Sequence, residues 1–180
     1  MNIIETEFPG LLIIEPKIFA DQRGYFYETY NEKIFEGHNI HNKFVQDNIS
    51  KSAKNILRGL HFQKPPYAQG KLVKVIQGSV LDVSVDLRVE SPTYGKHIKV
   101  LLSESNNKML WIPEGFAHGF LTLEDETIFY YKCTNFYNAP SDSSILWNDP
   151  ELNIDWGIAD PIISEKDRNA KKLSDFKGLF

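Results

Sequence analysis

The sequence predicts an all-β fold, an antiparallel sandwich or barrel of the jelly-roll kind, and two observations carry that prediction. The first is periodicity. In SVLDVSVDLR, Leu81, Val83, Val85 and Leu87 share one face while Asp82, Ser84, Asp86 and Arg88 share the other, which reads as a half-buried strand. The second is succession: short β-type segments follow one another without intervening crossover helices, and parallel neighbours would need such crossovers.

Taken in order, the strand-like segments are GLLIIEP, YFYETY, KFVQDN, KLVKVIQG, SVLDVSVDLR, KHIKVLLS, KMLWIP, HGFLTL and TIFYYKCT. Turn signals such as Gln77-Gly78, Ser91-Pro92, Asn106-Asn107 and Glu124-Asp125 separate them. Two short helices are expected. NEKIFEG (31–37) reads as a capped turn of helix with Ile34 and Phe35 inward, and SEKDRNAKK (164–172) offers an N-cap serine followed by acids and then bases.

The chain has 180 residues, 42% of them hydrophobic, enough to bury a sizeable core, and no repeat, linker or low-complexity tract divides it; one domain over 1–180 is expected. Its formal charge of -4 comes from mixed signs, so it has no basic footprint for nucleic acid. The single cysteine, Cys133, leaves no intramolecular disulfide to form, and the opening MNIIETEFPG carries Glu5 and Glu7 where a signal peptide would be basic. The longest purely aliphatic run, 11–14, is far short of the roughly 20 apolar residues that span a bilayer. A cytoplasmic protein without membrane segments is expected.

Metal-binding jelly rolls of the cupin type offer H-x-H in a first motif and P-x-G-x-x-H in a second. Here Pro113, Gly115 and His118 keep the second, but the first is reduced to His61-Phe62-Gln63, and an amide oxygen is a poor ligand for zinc or iron. His38, His41 and His97 lie outside both motifs, so no metal site is expected. A lone strand histidine is more often structural than catalytic; the neighbours of His61 change that balance.

Lys71 has the parity of Val73 and Val75 and so points with them into the interior, where an ammonium is costly unless an anion needs it. Tyr131 shares parity with Phe129 and Cys133 and faces inward, with Tyr130 on the other side; an inward tyrosine is ordinarily a core residue. Arg23, Arg58 and Lys71 are candidates for a pyrophosphate, although scattered arginines are commonly surface residues. Arg58 and His61 differ by an odd number, so a bulge or twist is needed if both reach one ligand.

The blocks RGYFYETY, FVQDN, LRGLHFQ, PYAQGKLV, VDLR, SPTYGK, LWIPEGFAHGFLTL, YKCTNFY and SEKD together closely resemble the dTDP-4-dehydrorhamnose 3,5-epimerase family over nearly the entire chain. The resemblance implies a cupin-type jelly roll, a homodimer, the substrate dTDP-4-dehydro-6-deoxy-D-glucose, and no metal or other cofactor. It assigns the base to His61, the carboxylate paired with it to Asp167, the acid to Tyr131 and a catalytic lysine to Lys71. Substrate contacts fall on Arg23, Glu28, Gln46, Asp47, Asn48, Arg58, His118 and Lys166. Asp142 stands where the family commonly carries glutamate. The rival readings are an epimerase acting at C3 or C5 alone, a sugar-binding cupin without catalysis, and a metal-dependent cupin.

Overall fold

The computed structural model describes residues 1–180. Its strands are β1 (Asn2–Glu5), β2 (Leu12–Glu15), β3 (Phe19–Asp21), β4 (Gly24–Phe26), β5 (Gln46–Ser52), β6 (Leu57–Gln63), β7 (Lys71–Gln77), β8 (Ser79–Asp86), β9 (His97–Ser103), β10 (Met109–Ile112), β11 (Phe116–Thr122), β12 (Thr127–Cys133) and β13 (Asp142–Ser144). Two short helices, α1 (Glu32–Glu36) and α2 (Glu165–Arg168), complete the main elements with one 3₁₀ turn, Leu173–Phe176. A six-stranded sheet runs β1-β2-β10-β7-β12-β5 and a five-stranded sheet β13-β6-β11-β8-β9; β3 and β4 form a separate hairpin. Every strand pair is antiparallel, and no helix is long and apolar enough to cross a membrane. The jelly-roll expectation therefore holds.

Alternation along the strands sorts the apolar residues into three layers. Val73, Val75, Val80, Phe120 and Phe129 pack between the two sheets. Leu72, Met109 and Trp111 point out of the six-stranded sheet and are covered by Phe35 of α1, Ile40 and Phe44. Val83, Val85 and Leu87 point out of the five-stranded sheet, where Leu152, Trp156 and Leu173 from the C-terminal segment cover them. Fully burying side chains of this size contributes about 1.5–3 kcal/mol each, so both outer layers stabilise as well as shield.

This layering corrects the reading of β8 as half-buried. Asp82, Ser84 and Asp86 are as buried as Val83 and Val85. The polar face is the one that looks into the molecule, and the apolar face is the one the C-terminal segment covers. Two helix expectations also need adjustment: Asn31 precedes α1 without a side-chain capping bond, and α2 is shorter than the SEKDRNAKK pattern suggests, although Ser164 caps it as expected.

Of the bulge or twist that the parity of Arg58 and His61 calls for, the strand has the bulge. The β6–β11 register shifts between His61↔His118 and Arg58↔Phe120. Gly59 sits in that shift with φ +133, and a Cβ there would stand 2.4 Å from the Gly119 Cα, so only glycine fits. Leu57, Leu60 and Phe62 consequently face outward, and Arg58, His61 and Gln63 face the interior.

Candidate active site

The bulge in β6 puts His61 on the inner wall, and α2 brings a carboxylate behind it. Ser164 accepts the Asp167 backbone N–H at 3.1 Å, fixing the first turn so that Asp167 is the one buried residue of the helix. His61 Nε2 lies 2.5 Å from Asp167 Oδ1. Burial pushes the Asp167 pKa up, but the hydrogen bond and charge of His61, with smaller help from Ser164 and the Gly59 backbone, outweigh it and hold the carboxyl below its ordinary value. An ionised carboxylate only accepts, so Nε2 is the donor of this bond, and in the neutral imidazole the lone pair is then on Nδ1. The His61 side chain is 33% exposed against 3% for Asp167, which leaves the imidazole reachable and its partner shielded.

Facing His61 from the other sheet are β5, β7 and β12. Their register sets Gln46, Cys133 and Lys71 in one rung and Asn48, Tyr131 and Val73 in the next, all on the cavity side. Lys71 forms no ion pair with any carboxylate. Burial pulls its pKa below the ordinary lysine value, with Cys133, Asp142 and Asp82 offsetting part of the fall. Burial pushes the Tyr131 phenol up, so at neutral pH it carries a proton to give.

Two connected cavities share His61, Lys71 and Tyr131. The deeper, of 230 Å³, adds Arg58, His118, Phe120 and Phe129; the outer, of 340 Å³, adds Gln46, Asn48, Asp142 and Lys166. The rings of Phe120 and Phe129 stack with centroids 4.1 Å apart and give the deep end an apolar wall. Arg58 is oriented by Ser52, whose hydroxyl accepts from Nε at 3.2 Å and Nη2 at 3.1 Å. His118 Nε2 lies 2.8 Å from Asp82 Oδ2, a second carboxylate-held imidazole. No three His, Cys, Asp or Glu side chains converge in a metal-holding arrangement.

The structure thus brings together His61, Asp167, Lys71, Tyr131, Gln46, Asn48, Arg58, His118, Asp142 and Lys166. Three expected residues lie elsewhere in this chain. Asp47 projects from the opposite face of β5, where it accepts hydrogen bonds from Tyr130 at 2.9 Å and Lys132 at 2.9 Å. Arg23 pairs with Asp21 on the exposed β3–β4 hairpin, and Glu28 accepts from Asn31 at 3.2 Å just beyond it. A joint anion site of Arg23, Arg58 and Lys71 within one chain is therefore not formed. Tyr27, next to this hairpin, hydrogen-bonds Lys74 on the outer face of β7, so the sheet stands between the segment and the cavity.

Asp142 is engaged by its neighbours: it pairs with Lys166 and accepts the Tyr137 hydroxyl at 3.2 Å. Asp82, Ser52 and Tyr137 were not singled out from the sequence. The signal for Asp82 was its alternation with Ser84 and Asp86, which becomes informative once that face is known to be the inner one.

An imidazole held by a carboxylate on one sheet, with a phenol and an unpaired ammonium on the other, suits acid–base chemistry at carbon beside a carbonyl, the chemistry that cupin-type sugar epimerases perform. The chain belongs to the dTDP-4-dehydrorhamnose 3,5-epimerase family, whose model matches residues 5–175. It is 53% identical over 178 residues to the dTDP-4-dehydrorhamnose 3,5-epimerase of Shigella flexneri, covering 97% of each chain. The crystal structure of the enzyme of that name from Elizabethkingia anophelis superposes with a TM-score of 0.94 at 49% identity, over 100% of this chain and 99% of that one. The dTDP-6-deoxy-D-glucose-3,5-epimerase of Legionella pneumophila, solved in complex with dTDP-4-keto-L-rhamnose, matches with a TM-score of 0.92 at 49% identity over 96% and 93% of the two chains.

Proposed function

We propose that the protein converts dTDP-4-dehydro-6-deoxy-D-glucose to dTDP-4-dehydro-L-rhamnose by epimerisation at C3 and C5 without a cofactor. The observation that carries this reading is that His61 and Tyr131 come from opposing sheets and line the same cavity, with Lys71 beside Tyr131. The C4 ketone acidifies the hydrogens on C3 and C5 alike, so one base serves both carbons if the ring is presented suitably. His61 Nδ1 removes the proton, and Asp167 orients the ring and stabilises the imidazolium. Lys71 stabilises the enolate oxygen at C4 more than the neutral ketone, which lowers the barrier. Tyr131 returns a proton from the opposite face, and the configuration inverts.

Arg58, His118, Gln46, Asn48, Asp142 and Lys166 hold the nucleotide sugar in this reading. The homodimer supplies the rest. The β3–β4 hairpin region exposes Ile18, Phe19, Tyr25 and Phe26, an apolar surface suited to a second copy, and Arg23 and Glu28 then act on the partner's cavity. The test of the whole reading is proton NMR of dTDP-4-dehydro-6-deoxy-D-glucose with the protein in deuterated water. Deuterium at both C3 and C5 with inverted couplings is expected; exchange at one carbon alone would make the protein a single-site epimerase, and no exchange would make it a binding protein.

Two further outcomes follow from the same geometry. Gln63 stands in place of the first motif's second histidine and no three His, Cys, Asp or Glu side chains converge, so turnover is expected to survive exhaustive chelation, and loss of activity restored by one transition metal would refute the cofactor-free scheme. In Tyr131→Phe the aromatic packing stays while the phenolic proton is lost, so His61 still forms the enolate and returns solvent deuterium to the original face. Exchange is expected to outrun formation of doubly inverted product in this variant. Equal loss of both, with the fold intact, would mean that Tyr131 is needed for enolisation itself.

A further inference from the structure

Gln63 stands where metal-binding jelly rolls carry a ligand, and the structure gives its side chain a different task. It is 4% exposed. Its Nε2 donates to the Tyr67 carbonyl at 2.6 Å and the Phe136 carbonyl at 3.1 Å, and its Oε1 accepts the Asn138 backbone N–H at 2.7 Å. One amide therefore ties two loops together, 64–70 and 134–138, and both border the outer cavity. Neighbouring bonds run the same way: Gln69 Nε2 donates to the Asn135 carbonyl at 2.7 Å, and the Gly70 N–H donates to Thr134 Oγ1 at 2.8 Å.

Only an amide meets all three demands of this position. It has two donors and an acceptor on one planar group, whereas a neutral imidazole has one of each and an imidazolium has no acceptor. What the joint immobilises is Tyr137, the residue between two of its anchors. Tyr137 is 60% exposed at the mouth, its N–H donates to Gln46 Oε1 at 2.9 Å, and its hydroxyl is held by Asp142. The ring is thus fixed from three sides yet left open on its face, the presentation that a planar base needs for stacking.

We infer that Gln63 is a positioning residue for the nucleotide end of the substrate: it joins the two loops of the cavity mouth and so pre-sets Tyr137 to receive the base, while the proton-transfer groups are set by α2, β7, β12 and, for His61 on the same strand, by the bulge at Gly59 and the bond to Asp167. The inference rests on the nucleotide-sugar reading above. Its prediction is a split, with affinity lost and chemistry kept.

The experiment compares the full chain with Gln63→Met and Gln63→His, using dTDP as the binding probe in calorimetry and the ketosugar in steady-state kinetics. In both variants the dTDP Kd and the substrate KM are expected to rise together by about tenfold, equivalent to about 1.4 kcal/mol, with kcat within about threefold of the parent. In a Tyr137→Ala background, adding Gln63→Met should cost little more, because the residue through which Gln63 acts is gone. Should Gln63→Met fail to fold, Gln69→Met loosens the same joint from its more exposed side and carries the same expectation. An unchanged Kd, a loss confined to kcat, or losses that add fully in the double variant would each overturn the inference. A parent protein that binds dTDP but does not turn the ketosugar over would defeat the epimerase reading instead, and the dTDP affinities would still decide the role of Gln63.

Discussion

Replacing His61 by alanine is expected to lower turnover by about 10²–10⁴-fold, the usual worth of a general base, while the protein stays folded. The reason for expecting a catalytic and not a structural loss lies in what each partner contacts. The His61 side chain is a third exposed to the cavity, and its one hydrogen bond to a side chain runs to Asp167. Little packing disappears with it, and the cost to stability is that of leaving the buried Asp167 carboxylate without its partner. Asp167→Asn should give much of the same loss, since an amide still accepts the Nε2–H but brings no charge to stabilise the imidazolium. Product formation by NMR and thermal melting separate the alternatives: a fully active but unstable His61→Ala would make that histidine structural.

The pH dependence of stability gives an independent check on the pair. The Asp167 carboxyl titrates below its ordinary value in the folded chain, so its contribution is present above the unfolded value of about 3.9 and is lost as pH falls through the depressed folded value. The melting-temperature difference between the parent and Asp167→Asn is therefore expected to be larger near pH 7 than near pH 3. A difference that stayed constant across that window would mean that the ionised carboxylate does not hold the pair.

Much of this site was legible because β-strand parity is a strict rule. Lys71 follows Val73 and Val75 inward, Tyr131 follows Phe129, and the odd spacing of Arg58 and His61 required the bulge that Gly59 provides. Parity tells which residues share a face, but not which face is covered. For β8 the cover comes from Leu152, Trp156 and Leu173, distant residues whose arrival over the sheet no local pattern announces, and so Asp82 looked like a solvent residue when it is the partner of His118. Parity also separates Asp47 from Gln46 and Asn48, and the family resemblance that grouped all three does not say from which side each acts. Arg23 and Glu28 were equally out of reach: they contact Asp21 and Asn31 on or beside the exposed hairpin, and only the proposed homodimer would give them a cavity to act on.

The other large effect is expected at Lys71. Lys71→Met keeps a long unbranched side chain but removes the charge that, in the proposed scheme, meets the C4 oxyanion, and losing one such stabilising donor typically costs about 10²–10³-fold in kcat. The ammonium makes no ion pair in the protein, and burial disfavours it, so folding gains nothing from the charge and the melting temperature of Lys71→Met should stay level or rise. Exchange and inversion should fall together in this variant, unlike Tyr131→Phe, because the enolate itself no longer forms. The pH profile adds a sign that can be checked. A depressed lysine pKa means the charged, active form is present at lower pH and is lost as pH rises through that value, earlier than for an ordinary lysine. Tyr131 is shifted upward and so does not account for an early alkaline fall. In Lys71→Arg, whatever rate remains should have no such limb, since a guanidinium stays charged throughout the range. If the alkaline limb persisted unchanged in Lys71→Arg, or Lys71→Met turned over at the parental rate, the oxyanion would have to be stabilised by another donor in the deep cavity, with Arg58 and His118 the residues placed to do it.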